Sequence, residues 1–313
     1  MKREVAIGAR DSVLALWQAR RVMEDLQEMY PGCVFRTVGI KTLGDRVQDV
    51  ALARIGDRGL FTKELEAGLL RGEIDLAVHS MKDLPTRLPE GLTIGAIGRR
   101  EWPGDVLISR RGLTLEQLPE GSSVGTSSLR RASQLLRFRP DLKMVSVRGN
   151  LTTRLRKLSE HDLDALVLAF AGVNRLEYNN LITQKIPYAI CLPAAGQGSI
   201  GVEIRMDDAR MQEMVARLDD PDPRLAITAE RALMKELEGG CQVPVGALGE
   251  VEGGRLTLEG MVLTLNGQRF VRDRISGPKE EAAVLGRELA QKLLAQGAGE
   301  ILKSARGEFE DRC

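Results

Sequence analysis

Three kinds of residue in this sequence could do chemistry. In HSMKDLP, Lys82 and Asp83 stand just past the apolar run DLAVHS (75–80). In open α/β sheets, ligands bind outside the carboxyl ends of strands. Asp83 is therefore a candidate acid/base, with Lys82 as an anion contact or charge neighbour. The plain alternative is a turn carboxylate ahead of Leu84-Pro85. His79 reads as a strand-face residue with no partner nearby in the sequence. The second kind is arginine at strand-to-helix junctions. GARDS (8–12) sets Arg10 beside Ser12, GTSSLRR (125–131) sets Arg130 and Arg131 after Thr126, Ser127 and Ser128, and VRGNLTTR (147–154) sets Arg148 and Arg154 around Asn150. A helix N-terminus offers unpaired N–H groups and a partial positive charge, so arginine there is unfavourable unless an anion compensates. The guanidinium fork also matches a carboxylate. Each junction alone reads as solvated surface arginine. Together they point to a polyanion cleft for a phosphate or a polycarboxylate. No GxGxxG or GxxxxGK[ST] occurs, which makes a nucleotide the weaker option. The third kind is a lone thiol, Cys241 in LEGGCQVPVG (237–246). It could be a buried small hydrophobe, half of a disulfide, a metal ligand or a nucleophile.

Composition narrows these choices. Of the 313 residues 43% are hydrophobic, enough for real cores, and the formal net charge is only +1. That balance speaks against a general nucleic-acid or membrane-surface binder. The start, MKREVAIGAR, is too briefly apolar for a signal peptide. The longest apolar run, ALVLAFAGV (165–173), falls short of the ~20 residues a membrane helix needs. The expectation is a soluble, cytoplasmic chain with no membrane and no nucleic-acid partner. Its four cysteines (Cys33, Cys191, Cys241, Cys313) form no CxxC, and there are two histidines, His79 and His161. A disulfide framework and a zinc site are thus both unexpected, and no metal is assigned.

These residues need elements to hold them. VAIG (5–8) reads as a strand, followed by a helix capped by Ser12 with the apolar face Ala15, Ala19, Val22, Leu26 and Met29. A strand at 34–40, a long mobile loop at 41–59, a helix from Phe61 to Arg71 and a strand at 75–80 follow. After the plausible hinge REWPGD (100–105), strands at 106–109, 123–126, 143–147 and 165–170 alternate with helices at 128–139 and 151–160. Such alternation predicts α/β domains with mainly parallel sheets. A strand at 199–205, whose sheet the pattern leaves open, precedes a helix at 208–218. DDPDPR (219–224) breaks the chain before a helix (224–237), three strand-like stretches between 245 and 275, and a last strong helix at 279–296. This reads as a small α+β domain with Cys241 at its entry.

The stretches GARDSVLALWQA, GLFTKELE, DLAVHSMKDLP, VGTSSLRRASQL, VRGNLTTRLRKL, LPAAGQGSIGVE and LEGGCQVPVG run almost end to end. Together they resemble the porphobilinogen deaminase (hydroxymethylbilane synthase) family. HSMKDLP, GTSSLRR and EGGCQVP in combination are highly specific. The resemblance implies an α/β fold: two periplasmic-binding-protein-like α/β domains plus a smaller C-terminal α+β domain. The implied boundaries are 1–99 with 199–217, 104–193, and 220–313. The implied activity is a transferase that condenses four porphobilinogen molecules, with loss of ammonia, onto a dipyrromethane cofactor. That cofactor would be bound covalently at Cys241, with Asp83 catalytic. Implied cofactor contacts are Lys82, Asp83, Thr126, Ser128, Arg130, Arg131 and Arg148. Implied substrate contacts are Arg10, Ser12, Phe61, Arg154, Arg175 and Gln197, and the enzyme is expected to be a monomer. Two places depart from the family's pattern. GDRG (56–59) stands where a lysine-rich G-x-K-G is usual, and Trp102-Pro103-Gly104-Asp105 where an acidic–Pro–Arg–Asp run is usual. A non-catalytic anion-binding module would explain the α/β domains and the arginines, but neither Asp83 nor the Cys241 loop.

Overall fold

The computed structural model describes residues 4–42, 62–160, 162–238 and 243–311. Phe61, His161, Cys241, Cys313 and the 43–59 segment lie outside them. The described residues divide into two compact units. One holds the residues up to Glu101 together with Ser199–Arg224; the other holds Trp102–Gly198 and the residues from Leu225 onward. In chain order the first stretch forms β1 (Glu4–Arg10), α1 (Val13–Met29), β2 (Val34–Ile40), α2 (Lys63–Leu70), β3 (Leu76–Ser80) and β4 (Leu92–Ile97). Next come β5 (Asp105–Ser109), β6 (Ser123–Gly125), α3 (Leu129–Phe138), β7 (Lys143–Val145), α4 (Leu151–Glu160), β8 (Ala165–Ala169), α5 (Phe170–Arg175) and β9 (Gln184–Lys185). The remainder is β10 (Ile200–Arg205), α6 (Ala209–Ala216), α7 (Pro221–Glu236), β11 (Val245–Glu252), β12 (Arg255–Leu263), β13 (Phe270–Pro278), α8 (Ala282–Ala295) and α9 (Ala298–Asp311).

The first unit is a five-stranded sheet in the order β2-β1-β3-β10-β4. β1 runs parallel to β2 and β3, while β10 is antiparallel to β3 and β4. The 199–205 strand left open by the sequence therefore joins the first sheet. Strand alternation sorts side chains to the two faces. Val5, Ile7 and Ala9 pack with Leu76 and Val78 against the predicted face of α1, where Ala15, Ala19, Val22 and Leu26 are buried. Ala6 and Ala77 pack on the other side with Leu65 and Leu69 of α2. Each such fully buried leucine or isoleucine contributes about 1.5–3 kcal/mol by leaving water. Ser12 caps α1 by accepting the Ala15 N–H at 3.3 Å. The sequence did not suggest β4, because Gly91, Gly95 and Gly98 dilute its pattern. At Gly95 the glycine serves packing, since a Cβ there would lie 2.6 Å from Val215 of α6.

The second unit contains a sheet in the order β7-β6-β8-β5-β9, with β5 antiparallel to β8 and β9. Both five-stranded sheets thus share one plan: four strands run one way and one opposing strand is inserted. This duplication fits the expectation of two α/β domains. The antiparallel meander β11-β12-β13 then packs with α7, α8 and α9 around a core that includes Leu233, Leu258, Leu289 and Leu293. This is the expected smaller α+β part. Helix α9 was not anticipated, because Gly297, Gly299 and Gly307 obscure the spacing of its buried Ile301, Leu302 and Ala305. α7 and α8 pack closely at Gly286, where a Cβ would sit 2.4 Å from the Ala229 carbonyl oxygen.

Candidate active site

In the first unit the end of β1, the start of α1 and the turn after β3 converge. Arg10 is the last residue of β1, Ser12 caps α1, and Lys82 and Asp83 lie on the 3₁₀ turn Met81–Asp83. Arg10, Ser12 and Asp83 line one pocket of about 50 Å³, together with Gln18, Thr62, His79 and Ser80. The turn holds its shape by backbone bonds: Met81 N–H donates to the Ser199 carbonyl at 3.0 Å, and Leu84 N–H to the Met81 carbonyl at 3.3 Å. Asp83 is exposed and Lys82 half-buried. A solvated carboxylate beside a guanidinium and a serine hydroxyl can hold a cation or exchange a proton with a bound molecule. Gln18 and Ser80 also belong to this wall, joined by a 2.9 Å bond from Gln18 Nε2 to Ser80 Oγ. Neither residue type signals a site in the sequence.

His79 sits on the strand face as read, yet it has a partner. Its Nε2 is 3.1 Å from Glu203 Oε2, 124 residues away in the chain and buried with it. The partner was missed because it arrives with β10.

In the second unit the three junction hydroxyls and arginines take different roles. Thr126 is buried, its N–H donating to the Val145 carbonyl at 2.9 Å and its Oγ1 accepting from the Ser128 N–H at 3.2 Å. Ser128 caps α3, accepting from the Arg131 N–H at 3.5 Å. Arg130 and Arg131, each 5% exposed, converge on Asp105, which is 0% exposed. Arg130 Nη1 is 2.8 Å from Asp105 Oδ2, and Arg131 Nε and Nη2 are 3.0 and 2.7 Å from Oδ1. Gln197 Nε2 adds a bond of 3.0 Å to the same oxygen. At this junction the compensating anion belongs to the chain itself. Burial alone would raise the Asp105 carboxyl; the two guanidinium groups overcome it and hold it well below its ordinary value. The sequence offered Asp105 only as part of an altered hinge. A usable signal was two adjacent arginines entering a helix, which need a counter-charge.

Arg130 also donates to the Leu192 carbonyl and lies against Cys191, whose buried thiol is pushed up to about 12. That thiol is chemically inert packing. Arg148 lies on the loop before α4, its carbonyl accepting from Lys157 Nζ at 3.2 Å. Arg154 Nε donates to the Gly149 carbonyl at 2.8 Å, and Asn150 Oδ1 accepts from the Thr153 N–H at 2.9 Å, capping α4. Arg175 ends α5, buried, with Nη2 donating to the Gly198 carbonyl at 2.7 Å. The unusual Trp102 is a packing residue: it stacks on Tyr188 at 5.7 Å and meets Phe170 edge-on at 5.6 Å. Gly104 leaves room for it, since a Cβ there would lie 2.2 Å from the indole. Phe61 and Cys241 lie outside the described residues. Among the described residues no cluster of His, Cys, Asp and Glu is placed to hold a metal ion.

Comparison with known proteins speaks to the whole chain. The family model "Porphobilinogen deaminase, dipyromethane cofactor binding domain" matches residues 5–213, and "Porphobilinogen deaminase, C-terminal domain" matches residues 224–295. The porphobilinogen deaminase of Pelotomaculum thermopropionicum is 63% identical, with 98% of this chain and 99% of that one covered. That of Desulforudis audaxviator is 57% identical over 98% and 99%, and that of Geobacter sulfurreducens 51% identical over 95% and 93%. The chain belongs to the porphobilinogen deaminase family.

Proposed function

We propose that this chain condenses four porphobilinogen molecules head to tail, releasing ammonia at each step. The units are added to a dipyrromethane primer held as a thioether on Cys241, and the linear tetrapyrrole hydroxymethylbilane is then released by hydrolysis. The observation that carries this reading is one pocket lined by Arg10, Ser12 and Asp83. It occurs in a chain similar to porphobilinogen deaminases over nearly its full length. The residues fit a group rich in carboxylates. Guanidinium groups recur at the starts of α3 and α4, with the Ser128 hydroxyl capping α3, and such donors suit carboxylates. We assign Lys82, Thr126, Ser128, Arg130, Arg131 and Arg148 to the cofactor carboxylates. Arg10, Ser12, Phe61, Arg154, Arg175 and Gln197 are assigned to substrate. When bound, the dipyrromethane supplies a nucleophilic free pyrrole carbon and so a start for the chain.

Porphobilinogen carries an aminomethyl arm, an acetate and a propionate. Loss of ammonia from that arm leaves a cationic methylene pyrrolenine, which needs a nearby negative charge. Asp83 supplies it, and its exposed carboxylate also accepts the proton shed when the new carbon–carbon bond forms. Arg10, beside it, holds a substrate carboxylate in place. The enzyme in this reading is a cytoplasmic monomer of three domains, 1–99 with 199–217, 104–193 and 220–313. Among the described residues no helix is long and apolar enough to cross a membrane.

Asp83→Ala tests the assignment. Turnover should drop about 10²–10⁴-fold, the usual contribution of a positioned acid/base, with the cofactor still attached. Substantial turnover by the purified variant would remove Asp83 from the chemistry.

A further inference from the structure

The chemistry above leaves three buried ionisable side chains of the first unit unused. β3 and β10 pair antiparallel, with His79 opposite Gly201 and Ala77 opposite Glu203. His79 and Glu203 are therefore diagonal neighbours on one face, the face whose Ala77 packs with Leu65 and Leu69 of α2. Their side chains are 3% and 0% exposed. Glu66 of α2 is 6% exposed. One oxygen of each carboxylate, Glu66 Oε1 and Glu203 Oε1, is buried without a hydrogen-bond partner among the described residues, as are the hydroxyls of Thr62 and Ser199.

Two ionised carboxylates around one imidazolium would leave a net negative charge out of water, at a cost of several kcal/mol. Retaining one more proton removes that charge and turns a partnerless acceptor into a donor. Burial above all, with the charge of Glu203 adding to it, raises the Glu66 carboxyl above its ordinary value, against the opposing pulls of Thr62, His79 and Lys63. The other charged groups on this side are few. Lys63 and Glu64 come from α2, and Arg10 ends β1 on the same side as Ala6 by strand alternation. Arg205 of β10 is engaged by the Leu69 and Ile74 carbonyls and by Asp208. Glu4 and Arg36 pair with each other at 2.7 Å at the opposite end of β1. β4 (LTIGAI) brings no charge.

We propose that Glu66, His79 and Glu203 form a proton-sharing triad that retains one extra proton at neutral pH and, through His79, sets the electrostatics of the pocket carrying Asp83. His79 is the link, because it lines the pocket together with Asp83 and Arg10. With the proton retained the triad is neutral. Loss of the proton as pH rises puts a buried negative charge beside the pocket, which opposes the binding of substrate carboxylates there and competes for Arg10. These are positioning residues acting on Asp83, and this coupling rests on the acid/base reading above.

Infrared difference spectroscopy of the whole protein tests the triad without reference to turnover. Wild-type protein at neutral pH should show the C=O stretch of a protonated carboxyl, titrating away as pH rises. Glu66→Gln should remove that band and Asp83→Ala should leave it. A wild-type protein without the band overturns the triad, and so does a band that survives in Glu66→Gln. Should Glu66→Gln not fold, the wild-type titration alone decides. In the activity arm, Glu66→Gln fixes the neutral state. The alkaline fall in kcat/KM that follows loss of the triad's proton in wild type should be absent from its profile. An unchanged profile overturns the coupling to the pocket. Full turnover by Asp83→Ala would instead refute the acid/base reading while leaving the infrared result standing.

Discussion

Asp105→Ala is the sharpest perturbation of the second unit. It leaves Arg130 and Arg131 as buried cations and takes an acceptor from Gln197. Removing one partner of a buried ion pair costs about 3–5 kcal/mol. A lost hydrogen bond to a buried amide adds about 1–3 kcal/mol. Members of one network do not sum, so the total expected is about 4–6 kcal/mol. That is a large part of a typical stability of about 5–15 kcal/mol. With a urea dependence near 2 kcal/mol/M, the unfolding midpoint should fall by about 2–3 M. The assay can be confined to this unit. The sequence has two tryptophans, Trp17 in the first unit and Trp102 in the second, so Trp102 fluorescence in a Trp17→Phe background reports the second unit. The pH dependence has a definite sign. Asp105 is held below its ordinary value, so its contribution is complete above the unfolded carboxyl value of about 3.9 and is lost only as pH falls through the lower folded value. The gap between wild type and variant should therefore persist from neutral pH to below about pH 4 and close only in stronger acid. A midpoint within about 0.3 M of the parent would refute the clamp.

Three further outcomes follow from the same geometry. Glu230, fully buried on α7, accepts the N–H groups of Gly196 and Gly249 at 2.7 Å each, so Glu230→Ala should destabilise the second unit by about 3 kcal/mol in urea unfolding, and Glu230→Gln by less. Gly286→Ala forces a methyl against the Ala229 carbonyl, costing about 1–3 kcal/mol and lowering Tm by about 2–8 °C in calorimetry. Arg148 is proposed as a cofactor contact, so in Arg148→Leu kcat/KM should fall about 10–100-fold, with incomplete cofactor assembly visible by mass; wild-type kinetics and mass would remove Arg148 from the proposed site.

What was legible in the sequence was local. Ser12 and the face Ala15, Ala19, Val22 and Leu26 announced α1, because a cap and a 3.6 period are short-range signals. The run before Lys82 and Asp83 announced β3 for the same reason. What stayed hidden depends on distant pairing. β10 enters the first sheet from more than a hundred residues away, bringing Glu203 to His79. Asp105 meets arginines 25 and 26 residues later through the fold of β5 and α3. Arginines at a helix start correctly demanded an anion, yet composition could not tell a bound ligand from Asp105.

In the proposed chemistry Cys241 carries a dipyrromethane primer on which Asp83 works. Intact mass spectrometry of purified, active protein tests it most directly. The measured mass should exceed the sequence mass by two pyrrole units, and Cys241→Ala should lack that addition and turn over no porphobilinogen. Active protein with the unmodified sequence mass would rule out the Cys241-bound primer.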